Sequence, residues 1–235
     1  NQPAGVHYDY QVDATMGAAF SQATLNQDKL EITGGLRLEY NRYEYNNKTG
    51  DGSACDPSAT ACRFYRPADR DDSFSNWSAN AGASYALTDQ HLIYLRYANG
   101  FRAPQATELY RLQSGQQVAD LDSEELDNIE LGLRGTIGDS LLYDASVFYM
   151  KKDEVIFQDA NRQNVSGAST KHQGLELSLD YRMTENWYLN GAASFAHHRY
   201  DIANDLLGSS GDIKGNYIDT APRRLGALMD RCIIW

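Results

Sequence analysis

The sequence has no long apolar stretch, no excess of basic residues and little proline. No run of the 235 residues approaches the ~18–20 apolar residues of a membrane helix, which excludes a helical membrane protein. Asp and Glu number 32 against 21 Lys and Arg, so a basic surface for nucleic acid is absent and we expect no nucleic-acid partner. The chain opens at Asn1-Gln2-Pro3 without a basic and apolar leader, so either its start is trimmed or the protein is not exported.

Cysteine and catalytic motifs are also scarce. Cys55 and Cys62 enclose a short loop of small and polar residues, where a disulfide would fit an oxidising compartment; the alternative is two unpaired thiols. Cys232 is left over. The sequence has no nucleophile elbow, no zinc-spaced set of Cys and His, and no glycine-rich phosphate loop. We therefore expect no enzyme activity, no catalytic residues, no cofactor and no metal site.

The dominant positive signal is an alternation of apolar and polar residues with period two. The segments 30–41 and 175–181 show it best, and the abundance of Tyr (16) and Gly (19) also favours strands. Successive side chains of a strand point to opposite faces, so each such strand has one apolar and one polar face. The pattern predicts nine strands, at 8–24, 28–46, 73–87, 91–101, 125–137, 141–157, 168–182, 187–200 and 217–229.

The connections between these strands alternate strictly between short and long. Short turns centre on residues 26–28, 88–90, 138–140 and 184–186, and longer loops cover 46–72, 102–124, 158–167 and 201–216. All short turns therefore fall on one side of the sheet, and aromatic residues form a band toward each side. Both features are typical of outer-membrane β-barrels, with short periplasmic turns and long extracellular loops.

The strand lengths favour an all-β, antiparallel transmembrane β-barrel, because a spanning strand needs about 9–11 residues. Nine strands cannot close a usual bacterial barrel, where the count is even, and an open edge is not tolerated in lipid. We therefore expect the chain to be a segment of a larger barrel.

Residues 97–104, Tyr-Ala-Asn-Gly-Phe-Arg-Ala-Pro, followed by Glu108-Leu109-Tyr110, resemble the mid-barrel signature of TonB-dependent outer-membrane receptors. The segments 126–134, 147–156 and 174–177 continue in the family's order. The resemblance implies a barrel of about 22 strands with a plugged lumen. It also implies active uptake of a scarce ligand, most often a ferric siderophore, driven by the TonB complex through the plug domain.

Under this resemblance, residues 1–235 are a partial barrel domain from which the plug domain and the closing strands are absent. The protein would lie in the bacterial outer membrane, where it would contact membrane lipid and lipopolysaccharide. The four long loops would select the ligand, but the sequence assigns no ligand-binding residue.

The ligand class rests on one comparison within the family. Haem receptors often carry a Phe-Arg-Ala-Pro box, then a His, then an Asn-Pro-Asn-Leu-like box. The first box is present at 101–104, but no His lies between that box and Leu126, and the acidic segment 120–126 replaces the second box. A ferric siderophore is therefore favoured over haem, with cobalamin and oligosaccharide still open. The alternative functions are a passive porin or adhesin-like barrel without a plug and a soluble carbohydrate-binding β-sandwich.

Acidic residues cluster in two loops. Asp69, Asp71 and Asp72 could hold Ca²⁺, but a solvated loop end is favoured. The same applies to the acidic run 120–127. Arg102 stands near the rim, where a charged side chain is expected to face the lumen or the loops rather than lipid.

The histidines predict no metal site. His197 and His198 are adjacent on a strand, so their side chains point to opposite faces and cannot easily share one metal ion. His7, His91 and His172 are isolated in the sequence.

Overall fold

The computed structural model of the chain describes residues 6–55, 62–202 and 213–232. It consists of strands and one short helix, α1 (Ala106–Tyr110), which is far too short to cross a bilayer. The strands are β1 (Tyr10–Gln27), β2 (Leu30–Asn47), β3 (Gly52–Ser53), β4 (Phe64–Arg66), β5 (Arg70–Ala86), β6 (His91–Arg102), β7 (Leu112–Gln113), β8 (Glu124–Ile137), β9 (Leu141–Gln158), β10 (Asn164–Arg182), β11 (Trp187–Tyr200) and β12 (Arg224–Cys232).

Nine long strands form one sheet in the order β1-β2-β5-β6-β8-β9-β10-β11-β12, and each pairs antiparallel with the next. The predicted all-β, antiparallel fold is confirmed. Within the described ranges, β1 and β12 each have a partner on one side only, so the sheet is open. Strands β3, β4 and β7 form a second, small sheet at the long-loop end.

The short turns are specified locally. Asp28 and Gly138 adopt positive φ angles of 52° and 60°, which lets the chain reverse within a few residues. In the other two turns a threonine hydroxyl accepts backbone N–H bonds: Thr88 from Gln90 and His91, and Thr184 from Asn186 and Trp187. The same device at two turns explains why their positions could be predicted from the sequence.

Seven of the nine predicted strands agree with the structure to within three residues at each end. The strand predicted at 168–182 begins earlier, at Asn164, and is irregular near Ala168, where its register against β9 shifts. The last strand was predicted at 217–229 but begins at Arg224. Tyr217 makes only an isolated bridge to Arg199, and Pro222, which lacks an N–H group, interrupts the segment before the continuous ladder.

Prediction and structure also differ at the end of β12. The alternation of the sequence is lost after Met229, yet the backbone continues to pair with β11 as far as Cys232, opposite Trp187. In this strand the backbone hydrogen bonds continue for three residues after the alternation of side chains has ended.

The sheet has two distinct faces. The outer face exposes large apolar side chains, including Leu36, Leu38, Trp77, Leu131, Val147, Leu175 and Phe195. The inner face is mainly polar from β2 to β11. At the long-loop end, the segment 103–123 between β6 and β8 folds back over this inner face and creates the main buried core.

Candidate functional site

The long-loop end of the sheet is covered on its inner face by a compact apolar group, here called the mouth cluster: Tyr45, Leu109, Tyr110, Leu112, Ala119 and Leu121. Tyr110 and Leu112 are 0% exposed, whereas the apolar side chains of the outer face are mostly 40–60% exposed. Side chains near the long-loop ends of β1 and β2, including Tyr10, Val12 and Tyr43, pack against the cluster. The loop predicted at 102–124 is therefore folded against the inner face of the sheet.

Tyr110 is the centre of the mouth cluster. Its ring stacks on Tyr45 with centroids 4.3 Å apart, and its hydroxyl donates to Asp72 Oδ2 at 2.8 Å. Asp72 is in turn ion-paired with Arg70. Burial raises the pKa of the Tyr110 phenol above its ordinary value, and the bond to Asp72 raises it further, so the phenol is a neutral donor at physiological pH.

Arg102, the arginine of the Phe-Arg-Ala-Pro box, lies at the inner rim and joins the loop to the wall. Its guanidinium donates to Glu108 of α1 at 2.9 and 3.0 Å, and its Nε donates to Glu124 of β8 at 2.9 Å. Glu124 also accepts the backbone N–H of Ile156 at 3.0 Å and lies 3.4 Å from Lys152 Nζ. Arg102 thus faces the lumen side and contacts a wall carboxylate while it fixes the loop.

Three further long-range residue pairs hold the loop in place through hydrogen bonds. The Gln116 side chain exchanges two hydrogen bonds with the Asn164 backbone, at 2.7 and 2.9 Å, and the Asn164 amide donates to the Glu108 carbonyl at 2.7 Å. The Tyr8 hydroxyl donates to the Leu112 carbonyl at 2.6 Å. The partners are 48 to 104 positions apart, so no local pattern in the sequence predicts these hydrogen bonds.

The small sheet lies beside the mouth cluster and joins two of the predicted loops. β3 and β4 come from the loop predicted at 46–72, and β7 comes from the loop predicted at 102–124. The structure links Cys55 to Cys62, with their Cα atoms 5.7 Å apart, next to β3 and β4. Residues 56–61 between them lie outside the described residues.

The acidic residues considered for Ca²⁺ do not converge on one point. Asp69 accepts the backbone N–H of Asn47 at 2.7 Å, Asp71 is paired with Arg42 at 3.0 Å, and Asp72 contacts Arg70. In the ranges that the structure describes, no group of three or more His, Cys, Asp or Glu side chains is arranged to hold a metal ion. These carboxylates therefore act as local partners within the loops.

His172 is isolated in the sequence but has a histidine partner in the fold. The register of β10 and β11 sets it directly opposite His198, and the two Nδ1 atoms are 2.8 Å apart. His197 is exposed on the opposite face and contacts Tyr217 edge-on. The pair could not be predicted from the sequence, because 26 positions separate the two histidines and only the strand register brings them together.

Closer to the short turns, two carboxylates of the inner face, Glu130 and Asp144, are hydrogen-bonded to neighbouring strands. The Tyr94 hydroxyl lies 2.7 Å from Glu130 and 3.0 Å from Asp144, and Arg134 donates to Asp144 at 2.7 Å. A phenol and a guanidinium thus satisfy a pair of neighbouring carboxylates. Such a network is what a polar channel wall requires, and we assign no acid–base role to it.

Comparison with known proteins agrees with this architecture. The family model described as "TonB dependent receptor-like, beta-barrel" matches residues 1–231. The catecholate siderophore receptor Fiu of Escherichia coli K12 is 24% identical over 200 residues, which are 80% of this chain and 26% of that protein. The chain thus spans about a quarter of the length of the curated relatives that it matches.

Solved receptors share the fold at lower identity. The ferric-catecholate import receptor Fiu from E. coli K12 matches with a TM-score of 0.72 and 20% identity, over 96% of this chain and 33% of that one. The ferric yersiniabactin uptake receptor FyuA from Yersinia pestis matches with a TM-score of 0.70 and 19% identity, over 96% and 32%. The family match covers nearly the whole sequence, so the chain belongs to the TonB-dependent receptor β-barrel family of the Gram-negative outer membrane.

Proposed function

We propose that the chain forms part of the barrel wall and extracellular mouth of a receptor that takes up a ferric siderophore with energy from the TonB complex. The observation that carries this proposal is the family match over residues 1–231 together with relatives named as siderophore receptors. The two-faced sheet supports it, because its apolar outer face suits lipid and its polar inner face suits a lumen.

The ligand would be selected at the long-loop end, by the loops at 46–72, 102–124, 158–167 and 201–216. The first three meet around the mouth cluster through the small sheet and the Gln116–Asn164 bonds. In the fourth loop, residues 203–212 lie outside the described residues. Because ordered loops lose little further entropy when they bind, a mouth that is already folded favours capture of a scarce ligand.

We propose that residues 1–235 are a contiguous part of a larger barrel, completed by further strands and by a plug domain that contacts TonB. The open edges of β1 and β12 support this, since unpaired backbone groups are costly in lipid. The share of the solved receptors that the chain covers, about a third, agrees with a larger barrel.

Lipopolysaccharide is the proposed partner of the outer face near the extracellular rim. Lys151, Lys171 and Arg199 stand in register on three adjacent strands, on the lipid-facing side. Lys171 is paired with Asp201 at 2.6 Å and Lys151 with Asp153 at 2.8 Å, so the row is partly neutralised. Anionic phosphates of the outer leaflet would complement these cations.

The uptake proposal is tested in cells that lack their own siderophore receptors. The receptor gene that encodes this chain is expressed with and without functional TonB, and uptake of ⁵⁵Fe is measured from a panel of catecholate, hydroxamate and carboxylate siderophores. We expect TonB-dependent uptake of one class. Uptake that persists without TonB would favour the passive barrel, and no uptake of any iron complex would reject the siderophore.

A further inference from the structure

A row of three potential metal-binding side chains crosses the inner face in its extracellular half. Met150 of β9 is paired with His172 of β10, and His172 is paired with His198 of β11. Directly paired residues of antiparallel strands project on the same face, with Cβ atoms roughly 4.5–5.5 Å apart. The three side chains therefore stand side by side on the lumen wall.

The two imidazoles are arranged as a converging pair. Their Nδ1 atoms are 2.8 Å apart, and their ring centroids are 5.0 Å apart with planes inclined by 56°. The other nitrogen of His172, Nε2, lies 2.9 Å from the Thr170 hydroxyl, which fixes the orientation of that ring. In a neutral pair one Nδ1 donates its proton to the other. A cation bound by both nitrogens takes the place of that proton, and the rings must move slightly apart, because metal–imidazole bonds of about 2.0 Å at an open angle separate the two nitrogens by more than the hydrogen bond does.

The donor set decides which cation fits. It offers two imidazoles and a thioether, and within the described ranges no carboxylate or thiolate completes a group of three or more with them. Mg²⁺ and Ca²⁺ require oxygen ligands, and a structural Zn²⁺ site usually has four. Thioether ligands select Cu(I), which also accepts imidazole and a low coordination number.

We propose that Met150, His172 and His198 form a copper(I)-binding site on the inner wall of this barrel. The site is distinct from the mouth cluster and from the proposed siderophore uptake, and it does not depend on which siderophore is transported. His172 and His198 lie on the lumen face, below the loops, and both are half-buried.

The charges around the site are compatible with a cation. Lys152 follows Met150 by two positions and shares its face, but its ammonium lies 3.4 Å from the Glu124 carboxylate, which offsets its charge. On the same strand as His198, the neighbouring His197 points away from the lumen and is exposed. His197 is therefore a matched control: it carries the same chemistry one residue away on the wrong face.

The experiment uses the receptor purified from outer membranes in detergent. Cu(I) is supplied with ascorbate and titrated against a chromophoric Cu(I) chelator, for the unchanged protein and for His172→Gln, His198→Gln, Met150→Leu and His197→Gln. Heat-dependent mobility on gels shows that each barrel is folded. X-ray absorption of the loaded protein reports whether nitrogen and sulfur both bind copper.

We expect about one Cu(I) per protein, a loss of affinity of about 100-fold or more for either inward histidine, and about 10-fold for Met150→Leu. His197→Gln should bind as the unchanged protein does. Equal weakening by His197→Gln, unchanged binding in His172→Gln, or copper without a sulfur neighbour would overturn the site. Siderophore uptake by the same variants is measured separately, so that failure of the copper site is distinguishable from failure of the uptake proposal.

Discussion

The short-turn half of the sheet and its extracellular rim are held together in different ways. In the lower wall, strands pair residue for residue and the apolar side chains point outward, with Leu131 46% and Leu175 43% exposed in the isolated protein. At the rim, the mouth cluster buries its side chains completely. Among the described residues, the largest fully buried side chains all lie outside the long strands: Pro67, Pro104, Leu109, Tyr110 and Leu112.

The difference follows from the solvent of each region. A wall between lipid and lumen needs its backbone hydrogen bonds satisfied within the sheet, and lipid covers its apolar face, so it needs no internal core. The rim emerges into water, where apolar side chains gain free energy only by packing on each other. Substitutions should therefore act through packing at the rim and through contact with lipid in the wall.

The largest effect is expected from Tyr110→Ala. Removing the ring from the mouth cluster should destabilise the folded loop by about 3–5 kcal/mol, the cost of deleting a buried aromatic. We expect limited trypsin digestion to cut after Arg111 in this variant and to leave the ordered loop of the unchanged protein uncut at that position. Tyr181→Ala, an exposed tyrosine of the wall, is the control and should leave the digestion pattern unchanged; protection at Arg111 in both variants would contradict the importance of the cluster.

A charge on the lipid face of the wall should be the next most disruptive change. Leu175→Arg places a cation on the outer face and should lower the stability of the barrel by about 2–4 kcal/mol if it lies near the bilayer midplane. Ser178→Arg adds the same side chain to the lumen face of the same strand and should be nearly neutral. The check is urea titration of folding into lipid vesicles, and equal losses for both variants would mean that the two faces are wrongly assigned.

Glu124→Ala tests the link between rim and wall. The substitution removes the acceptor shared by Arg102, Lys152 and the Ile156 N–H. It should cost about 1.5–3 kcal/mol in all, the contribution of a hydrogen bond to a charged group, because Arg102 keeps its bonds to Glu108. We expect faster hydrogen exchange in 103–123 with little change in the lower strands. The neighbouring Glu125 is exposed on the opposite face, so Glu125→Ala should leave exchange in the loop as it is.

Loss of the Cys55–Cys62 link should have a more local effect. The loop is short, with a sequence separation of 7, so replacing both cysteines by serine should cost about 2 kcal/mol, confined to the small sheet. Non-reducing peptide mapping of protein from the outer membrane should recover the two cysteines in one linked peptide pair. Recovery of two free thiols would contradict the disulfide.

The smallest effect concerns pH and the Tyr110 hydroxyl. Burial and Asp72 raise the pKa of this phenol above the ordinary value of 10.0, so its stabilising contribution is complete at neutral pH and is lost as pH rises beyond that value. Protease protection at Arg111 should therefore fall in strongly alkaline buffer. Tyr110→Phe keeps the ring, should cost about 1 kcal/mol at neutral pH, and should flatten the alkaline loss.

The sequence predicted the wall well and the mouth poorly. The long strands from β1 to β11 follow from a period-two pattern, which does not extend to the short strands β3, β4 and β7. Turns such as that at Thr184 follow from side chains that bond their own backbone. The loops at 46–72 and 102–124 were placed correctly, but nothing local in them indicates the small sheet or the buried Tyr110. The last strand was predicted to begin at residue 217 from a weak alternation, but it begins at Arg224, because Pro222 has no N–H group to donate to a neighbouring strand.

The sequence by itself determined which face of each strand meets lipid, where the chain reverses and which family the barrel belongs to, since these depend on residues close together in the chain. Only the tertiary structure decided that Arg102 joins Glu108 to Glu124, that Tyr45 stacks on Tyr110 and that His172 meets His198. For the Arg102–Glu124 and His172–His198 contacts the physical reason is the register of long strands, because a shift of one residue would turn each partner to the other face. For Glu108 and Tyr110 the reason is the return of the loop 103–123 over the inner face, which buries apolar side chains far from their partners in the sequence.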